Sequence, residues 1–283
     1  MSKTLVVDIG GTKFSMALFV EDRIERRISQ PTNAAGGRDW MLEQIGRIAG
    51  DWKSQIGFDR CGIGFGGPVD FANQRVALST HVGGWKDFHL SAYLSDILRV
   101  PTIMDNDANA GALGEGRFGA GQGCSPLFYM TLSTGIGGGI LIDGEVHRGA
   151  DSWAGEIGHL NVEPNGPECL CGSNGCLERM CCGLWLARDH GKPAKELMQD
   201  PEFARDYVIR LARGLKACIM LLNPARIVIG GGIAKAGAVL FDPLRTELRK
   251  QVTGWSGARI DVSPAQLGDD SVLYGALELA KNL

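Results

Sequence analysis

The fold is decided by residues 4–20, TLVVDIGGTKFSMALFV, in which two apolar runs flank a pair of glycines. Residues 4–10 are predicted to form a buried strand and residues 14–20 a second one, because both runs are short, apolar and bounded by a turn signal. Glycine tolerates the tight backbone conformations that a short connection needs. Gly10 and Gly11 therefore predict a hairpin between the two strands.

A second part of the chain repeats this plan. Residues 127–132 are predicted to form an apolar strand, residues 133–139 a glycine turn, and residues 140–143 a returning strand. Each copy reads as an apolar strand, a polar residue, a glycine turn and a second strand. The repetition indicates that the protein consists of two related halves.

Helical patterns alternate with further strands. Apolar residues recur at three- and four-residue steps in residues 41–56 and 203–222, which predicts two amphipathic helices. Other strands are predicted at residues 61–65, 101–105 and 225–229, and other helices at residues 107–117 and 271–282. This alternation is typical of the α/β class. We expect a small N-terminal domain, a larger second domain and a C-terminal helix that packs back on the first domain, at residues 1–107, 108–270 and 271–283.

Composition and charge exclude several classes of protein. The 283 residues are 44% hydrophobic and carry a formal net charge of −3, so the chain can build a core but has no basic field for nucleic acid. The first eight residues lead into a strand without a long apolar stretch, so neither a signal peptide nor a membrane span is predicted. We expect a cytoplasmic protein without nucleic-acid or membrane partners. Its eight cysteines are then metal ligands or free thiols rather than disulfides.

The two glycine turns are candidates for phosphate binding. Bare backbone lets amide N–H groups point at phosphate oxygens, and Asp8 beside the first turn can hold Mg²⁺ directly or through water. Neither turn is a Walker A loop, because no Gly-Lys-Ser/Thr follows, and neither fits the dinucleotide fingerprint, because each joins two strands. A plain structural turn explains either one alone, but it explains the matching pair less well. Residues 230–232 end a strand and open a helix, where a plain turn and a contact to adenosine are equally compatible with the sequence.

A metal-binding knuckle is predicted from four residues that lie within eighteen positions, His159, Cys169, Cys171 and Cys176. Three thiolates and one imidazole form a Cys₃His set, which suits tetrahedral zinc. Four protein ligands leave no open coordination position, so the zinc is expected to be structural. The remaining cysteines lack ligand spacing or lie in apolar segments, and they are predicted to be free thiols: Cys61, Cys124, Cys181, Cys182 and Cys218.

An acid–base group is predicted in residues 104–109, MDNDAN, where a strand ends and a helix begins. A carboxylate on a rigid strand end is well placed to act as a general base. Aspartate and asparagine are also preferred helix caps, and capping is the simpler interpretation from the local sequence alone. Both interpretations stay open at this point.

Together these segments resemble the ROK family of repressors, uncharacterised reading frames and sugar kinases. The resemblance covers nearly the whole chain. Its most specific part is the spacing of Gly158, His159, Gly166, Cys169, Cys171, Gly172, Gly175, Cys176 and Glu178. Residues 8–13 and 134–139 are similar to the family's two phosphate motifs, and residues 268–270 with Gly275-Ala276 are similar to its C-terminal end.

The resemblance implies an actin-like (ribonuclease H-like) two-domain α/β fold and an ATP-dependent sugar kinase with a structural zinc knuckle. It implies phosphorylation of a glucose-like hexose at the 6-hydroxyl, with Asp107 as the catalytic base, and a homodimer. The implied sugar-contacting residues are Gly67, His81, Asn106, Asp107, Glu156, His159 and Glu178. The implied contacts to ATP and Mg²⁺ are Asp8, Gly10, Gly11, Thr12, Lys13, Thr134, Gly135, Gly137, Gly231 and Gly232. His159 would bind zinc through one ring nitrogen and face the sugar with the other.

Three departures from the family pattern bear on these expectations. Gly66 stands where many members have proline, Ser133 where many have glycine, and His81 where glucokinase-like members have asparagine. Because that asparagine is a sugar contact, N-acetylmannosamine, fructose and allose remain alternatives to glucose.

Two alternatives belong to other functional classes. The first is a sugar-responsive repressor, but family repressors carry an N-terminal winged helix, and only seven residues precede Asp8. The second is a sugar-binding protein without catalysis, against which the retained Asp107 and the two phosphate turns argue.

Overall fold

A computed structural model describes residues 2–79 and 82–283. The strands of the N-terminal half are β1 (Lys3–Ile9), β2 (Lys13–Val20), β3 (Arg23–Pro31), β4 (Arg60–Phe65), β5 (Val69–Asp70), β6 (Arg75–Val76) and β7 (Thr102–Asn106). Its helices are α1 (Gly37–Gln55), α2 (Leu90–Leu98) and α3 (Asp107–Phe118). Five of these strands form a mixed sheet in the order β3-β2-β1-β4-β7, and β5 pairs with β6 in a small ribbon.

The C-terminal half builds a second sheet. Its strands are β8 (Leu127–Leu132), β9 (Ile136–Ile142), β10 (Glu145–Val146), β11 (Arg226–Gly230) and β12 (Val262–Pro264), in the order β10-β9-β8-β11-β12. The helices are α4 (Leu177–Cys181), α5 (Gly183–His190), α6 (Ala194–Leu197), α7 (Pro201–Leu222), α8 (Ala238–Gln251) and α9 (Ser271–Ala280). In the first sheet β1 is antiparallel to β2 and parallel to β4. In the second sheet β8 is likewise antiparallel to β9 and parallel to β11. The predicted α/β class and the repeated plan of the two halves are confirmed.

Strand β1 is buried on both faces, which explains its nearly continuous apolar sequence. Because side chains alternate along a strand, Leu5, Val7 and Ile9 pack in a core with α1 and α2. Val6 points the other way and packs against Leu273, Ala276 and Leu277 of α9. The C-terminal helix therefore lies on the first sheet, while the position of a domain boundary after Asp107 stays a prediction.

The hairpin β1–β2 is confirmed, but the predicted extent of the second glycine turn is wrong. Strand β9 begins at Ile136, so only residues 133–135 form the turn, and Gly137 lies inside the strand opposite Thr131. The glycines of β9 allow α3 to approach closely, since a β-carbon on Gly139 would lie 2.3 Å from the carbonyl oxygen of Ala108. In this strand, glycine therefore permits close packing rather than a turn.

Strand β3 was not predicted from the sequence. Its residues alternate between exposed and half-buried positions along the edge of the first sheet, so it has no apolar run that would identify it. Its backbone pairs with β2 from Lys13 opposite Pro31 to Val20 opposite Arg23. An edge strand of this kind forms because its backbone pairs with a buried neighbouring strand, and its own residue composition does not predict it.

Helices α3 and α9 cross in close contact between the two sheets. A β-carbon on Gly275 would lie 1.6 Å from the carbonyl oxygen of Ala110, so this crossing requires glycine. Next to it, the carboxylate of Glu115 is fully buried and accepts hydrogen bonds from the Leu267 amide at 2.9 Å and the Ser271 hydroxyl at 2.7 Å. These contacts hold the start of α9 against the end of α3, and thereby join the two halves.

Within residues 2–79 and 82–283, no helix is both long enough and apolar enough to span a bilayer.

Candidate active site

The two glycine turns meet at the edges of their sheets. The hydroxyl oxygens of Thr12 and Thr134, which are 122 positions apart in sequence, lie 2.8 Å from each other in a hydrogen bond. In the first turn the Gly10 amide donates to the Lys13 carbonyl at 3.0 Å, and in the second the Ser133 amide donates to the Gly135 carbonyl at 3.0 Å. Each turn is therefore closed by its own backbone, and the two present hydroxyl groups to the same place.

Backbone atoms from two other segments support the second turn. The amides of Gly183 and Leu184 donate to the carbonyl oxygens of Ser133 and Thr134 at 2.7 and 3.1 Å. Gly231 has a φ of +91°, and a β-carbon there would lie 2.5 Å from the Leu132 carbonyl oxygen, so only glycine fits. No sequence pattern indicated Gly183 and Leu184, because a contact through backbone amides does not depend on the side chain.

Asp107 begins helix α3 but does not cap it. The cap is Asn106, whose side-chain oxygen accepts from the amides of Ala108 at 2.9 Å and Asn109 at 3.3 Å. The Asn106 amide group also donates to the Gly67 carbonyl at 2.9 Å. The capping interpretation is thus confirmed for Asn106, and it does not account for Asp107.

The carboxylate of Asp107 lies against the turn that follows β4. A β-carbon placed on Gly66 would lie 3.4 Å from Asp107 Oδ2 and 3.4 Å from the α-carbon of Gly10. The Gly66 amide donates to the Ile9 carbonyl at 2.8 Å, which holds this turn beside the first glycine turn. Asp107 is therefore brought next to the turn between β1 and β2.

Half-buried carboxylates share this region, and they influence one another. Burial raises the pKa of Asp107 to about 7; the Ala108 amide opposes this rise, and the charges of Glu156 and Glu178 add to it. Burial, with the nearby charge of Asp107, also raises the pKa of Asp8 to about 7. Burial raises the pKa of Glu156 as well, and His159 opposes that rise. A cluster of like charges in a poorly solvated place favours a bound proton or a cation.

The predicted sugar contacts of the second half are held by the segment around α4. Glu178 lies in the first turn of α4, and its Oε2 accepts from the Ile136 amide at the start of β9 at 2.8 Å. Glu156 precedes a short 3₁₀ helix, Ile157–His159, and its carbonyl accepts from the His159 amide at 3.1 Å. The same segment therefore carries two acidic side chains toward Asp107 and one imidazole toward the cysteines.

The four predicted zinc ligands form one cluster. Their ligand atoms all lie within 4.8 Å of one another. The Cys171 and Cys176 sulfurs are 3.6 Å apart, and Cys169 Sγ is 3.9 Å from His159 Nδ1. Tetrahedral zinc with Zn–S bonds of about 2.3 Å requires sulfurs about 3.8 Å apart, so this cluster fits the ion. Gly175, at φ +59°, allows the knuckle to close, since a β-carbon there would lie 1.7 Å from the Glu163 carbonyl oxygen.

The remaining predicted site residues fall in different places. Lys13 Nζ lies 3.6 Å from Asp269 Oδ2 and is about half exposed. Gly232 lies beside the second turn, where a β-carbon would be 3.9 Å from the Ser133 hydroxyl oxygen. Gly137 packs in β9 against Ala108 at the start of α3. His81 lies outside the described residues. All eight cysteines carry free thiols.

Two sheets of like strand order, whose glycine turns meet beside half-buried carboxylates, define an α/β protein of the actin-like class. A sequence model of the ROK family matches residues 4–283. The chain therefore belongs to the ROK family, as its motifs indicated.

Relatives cover the whole chain. The glucokinase of Thermotoga maritima is 32% identical, over 99% of this chain and 97% of its own length. The N-acetylmannosamine kinase of Escherichia fergusonii is 30% identical, over 98% of each chain. Among solved structures, a ROK family glucokinase from Streptomyces griseus in complex with glucose and AMPPNP is 30% identical, covers 100% of both chains and superimposes with a TM-score of 0.85.

Proposed function

We propose that this protein is an ATP-dependent sugar kinase that phosphorylates a glucose-like hexose at its 6-hydroxyl, with Asp107 as the general base. The class of sugar kinase is supported by full-length similarity to the glucokinase of Thermotoga maritima and to the nucleotide-bound glucokinase structure from Streptomyces griseus. The finer assignment depends on the site.

One observation carries the proposal, which is the 2.8 Å contact between Thr12 and Thr134. It brings the turns of the two sheets together beside Asp107, so one triphosphate can contact both turns while its terminal group faces a carboxylate. Phosphoryl transfer needs mainly this positioning and charge stabilisation. We assign phosphate contacts to Gly10, Gly11, Thr12, Lys13, Thr134, Gly135 and Gly137, and adenosine contacts to Gly231 and Gly232.

The proposed reaction is a single in-line transfer. Asp107 accepts the proton of the sugar 6-hydroxyl, and the sugar oxygen forms a bond to the γ-phosphorus of ATP. The bond from that phosphorus to the β–γ bridging oxygen breaks, so ADP leaves with both electrons of the bond. A pKa of about 7 suits this role, because an effective general base has a pKa near the working pH.

The residues present fit two metals. Asp8 is a half-buried carboxylate beside the charge of Asp107, so a divalent cation there would offset the repulsion between them. We assign Asp8 to Mg²⁺, directly or through water; when bound, Mg²⁺ neutralises charge on the β- and γ-phosphates. We assign zinc to the Cys₃His cluster, where it would hold Glu156 and Glu178 in place.

The remaining sugar contacts are assigned to groups around Asp107. They are the backbone at Gly67 and the side chains of Asn106, Glu156, His159 and Glu178. We also assign a sugar contact to His81, which lies outside the described residues. We favour glucose over N-acetylmannosamine, fructose and allose because of the glucokinase relatives. A homodimer and a cytoplasmic location stay predictions.

A coupled ADP-release assay against hexoses and N-acetylhexosamines tests the proposal. We expect ATP turnover that depends on glucose and yields the 6-phosphate, with reactions lacking sugar as the control. If N-acetylmannosamine is turned over in preference to glucose, the assignment of glucose as the substrate is wrong, and the assignment as a sugar kinase stands. Sugar binding by calorimetry without ADP release would favour a non-catalytic sugar-binding protein and would contradict the proposed reaction.

A further inference from the structure

An ion pair between a buried aspartate and a half-buried arginine joins the two halves of the chain close to Asp107. Asp105 is 2% exposed and lies in β7, two positions before Asp107. Its Oδ2 accepts from Arg148 through Nε at 2.8 Å and through a terminal nitrogen at 2.6 Å. Arg148 follows β10 in the other half of the chain. The pair therefore connects the catalytic strand end of the first sheet with a loop of the second half.

The other oxygen of Asp105 holds a backbone amide before Asp107 and a side chain after it. Oδ1 accepts from the Asn106 amide at 2.7 Å and from the Asn109 side-chain amide at 3.0 Å. One contact precedes Asp107 and the other lies in the first turn of α3. A shift of the Asp105 carboxylate would therefore move the segment that carries Asp107.

Arg148 organises the loop that leads to Glu156. The Arg148 guanidinium lies over the Phe71 ring at 3.6 Å from the ring centre. The Arg148 backbone carbonyl accepts from the Ala154 amide at 3.0 Å. The Ser152 hydroxyl in the same loop accepts from the Phe71 amide at 3.2 Å. Residues 148–154 are thus closed against the first half of the chain, and Glu156 follows directly.

We propose that Arg148 is a positioning residue for phosphoryl transfer, whose ion pair with Asp105 sets the location of Glu156 relative to Asp107. The inference rests on the proposed function, because it takes Asp107 as the base and Glu156 as a sugar contact. These two side chains come from different halves of the chain, and this pair connects their segments directly. The guanidinium suits the task, because its fixed fork binds a carboxylate through two donors.

Replacing both Arg148 and Asp105 distinguishes a purely structural role of the ion pair from a positioning role. Removing one partner of a buried pair leaves an uncompensated charge and destabilises the protein. Replacing both partners removes the two charges together, and the amide oxygen introduced by Asp105→Asn can still accept from the Asn106 amide. The double variant Arg148→Met/Asp105→Asn therefore separates stability from positioning.

We expect the double variant to recover much of the thermal stability that each single variant loses, without recovering activity. Its kcat/KM for the sugar should stay about a hundredfold below wild type, since small misplacements of reacting groups have effects of this size. The KM for ATP should stay unchanged, because the pair holds the sugar-side segments rather than the glycine turns. Wild-type kcat/KM in a stable double variant would overturn the proposal.

Arg148→Lys and a second ion pair supply controls. Lysine keeps the charge but loses the fork, so Arg148→Lys should recover part of the lost kcat/KM, and no gain over Arg148→Met would count against positioning. Arg226 and Asp261 form a more exposed pair of the same geometry, with both nitrogens 3.0 Å from one carboxylate oxygen, at the far end of β11. Arg226→Met/Asp261→Asn should leave the sugar kinetics unchanged, and an equal loss there would overturn a specific role for Arg148.

Hydrogen exchange tests the positioning role without activity. Exchange at the Ala154 amide should be faster in Arg148→Met/Asp105→Asn than in wild type when both are compared below their melting temperatures. Unchanged exchange would overturn the inference. If wild type shows no sugar-dependent turnover, the proposed function fails, and the exchange result still decides whether the pair orders this loop.

Discussion

The two sheets have the same strand order, yet their corresponding strand-to-helix junctions hold very different aspartates. In the first sheet β7 leads into α3 at Asp107, and in the second β12 leads through a short 3₁₀ helix at Gly268–Asp270 into α9. Burial and neighbouring acidic groups raise the pKa of Asp107 to about 7. The hydrogen bond from Lys235, with the further charge of Lys13, lowers the pKa of Asp269.

The difference shows that topology places a carboxylate and its neighbours decide what it can do. Asp269 accepts from Lys235 at 2.8 Å and lies 3.6 Å from Lys13, so it stays ionised and links two segments. Burial, with the smaller influence of the charges of Glu156 and Glu178, raises the pKa of Asp107, so a proton is easily bound and released near neutral pH. The duplicated fold therefore has one junction suited to proton transfer and one suited to an ion pair.

The largest expected effect is the loss of kcat when Asp107 is replaced. Asp107→Asn should lower kcat by about 10²–10⁴-fold, since positioned general bases contribute that much, while the sugar still binds. The matched variant Asp269→Asn should change kcat by less than about tenfold, because partly exposed ion pairs contribute little. Steady-state kinetics and calorimetry check both variants. An unchanged kcat in Asp107→Asn would remove Asp107 as the base.

Zinc removal comes next in size. Elemental analysis should find about one zinc per chain, and Cys176→Ser should abolish its binding. Loss of the knuckle frees the segment that carries His159 and Glu178, so kcat/KM for the sugar should fall about 10–100-fold, as expected when the support of a site is lost. Cys218→Ser, a buried thiol of α7, is the control and should retain zinc. A folded, active and metal-free wild-type preparation would contradict the zinc assignment.

The pH dependence of the reaction tests the electrostatic contrast between Asp107 and Asp269. Because the base must be ionised, kcat/KM for the sugar should fall by about tenfold per pH unit below pH 7. Asp269→Asn should keep this profile, because the pKa of Asp269 is already low. A flat profile between pH 5 and 7 would exclude a base with a pKa of about 7.

The same pKa has a consequence for stability. The pKa of Asp107 is higher in the folded protein than in the unfolded chain, so the folded state binds the extra proton between about pH 4 and 7. The free energy of unfolding should therefore fall as the pH rises through this window. Asp107→Asn should be more stable than wild type at pH 8, by at most about 4 kcal/mol, and the difference should shrink at pH 5. Denaturant unfolding at the two pH values measures this, and an equal difference at both would contradict the raised pKa.

Prediction from the sequence succeeded where a local pattern of residues is compatible with few structures. The cysteine spacing predicted the cluster that the structure contains, because few arrangements satisfy three thiols and an imidazole so close in sequence. The apolar runs predicted β1, β2 and β8, because buried strands exclude polar residues. Prediction failed at β3, whose polar sequence carries no such signal, and at the glycines of β9, which serve packing rather than a turn.

By itself the sequence determined the α/β class, the two glycine hairpins and the Cys₃His cluster, because each follows from contacts between residues that are near in the chain. Only the tertiary structure decided that Thr12 meets Thr134, that Asn106 rather than Asp107 caps α3, and that Arg148 reaches Asp105. The Thr12–Thr134 and Arg148–Asp105 contacts depend on how the two sheets lie against each other, whereas the choice of Asn106 as the cap depends on the local backbone at the start of α3. Burial and charge at Asp107 arise from residues far apart in sequence, so no local pattern records them.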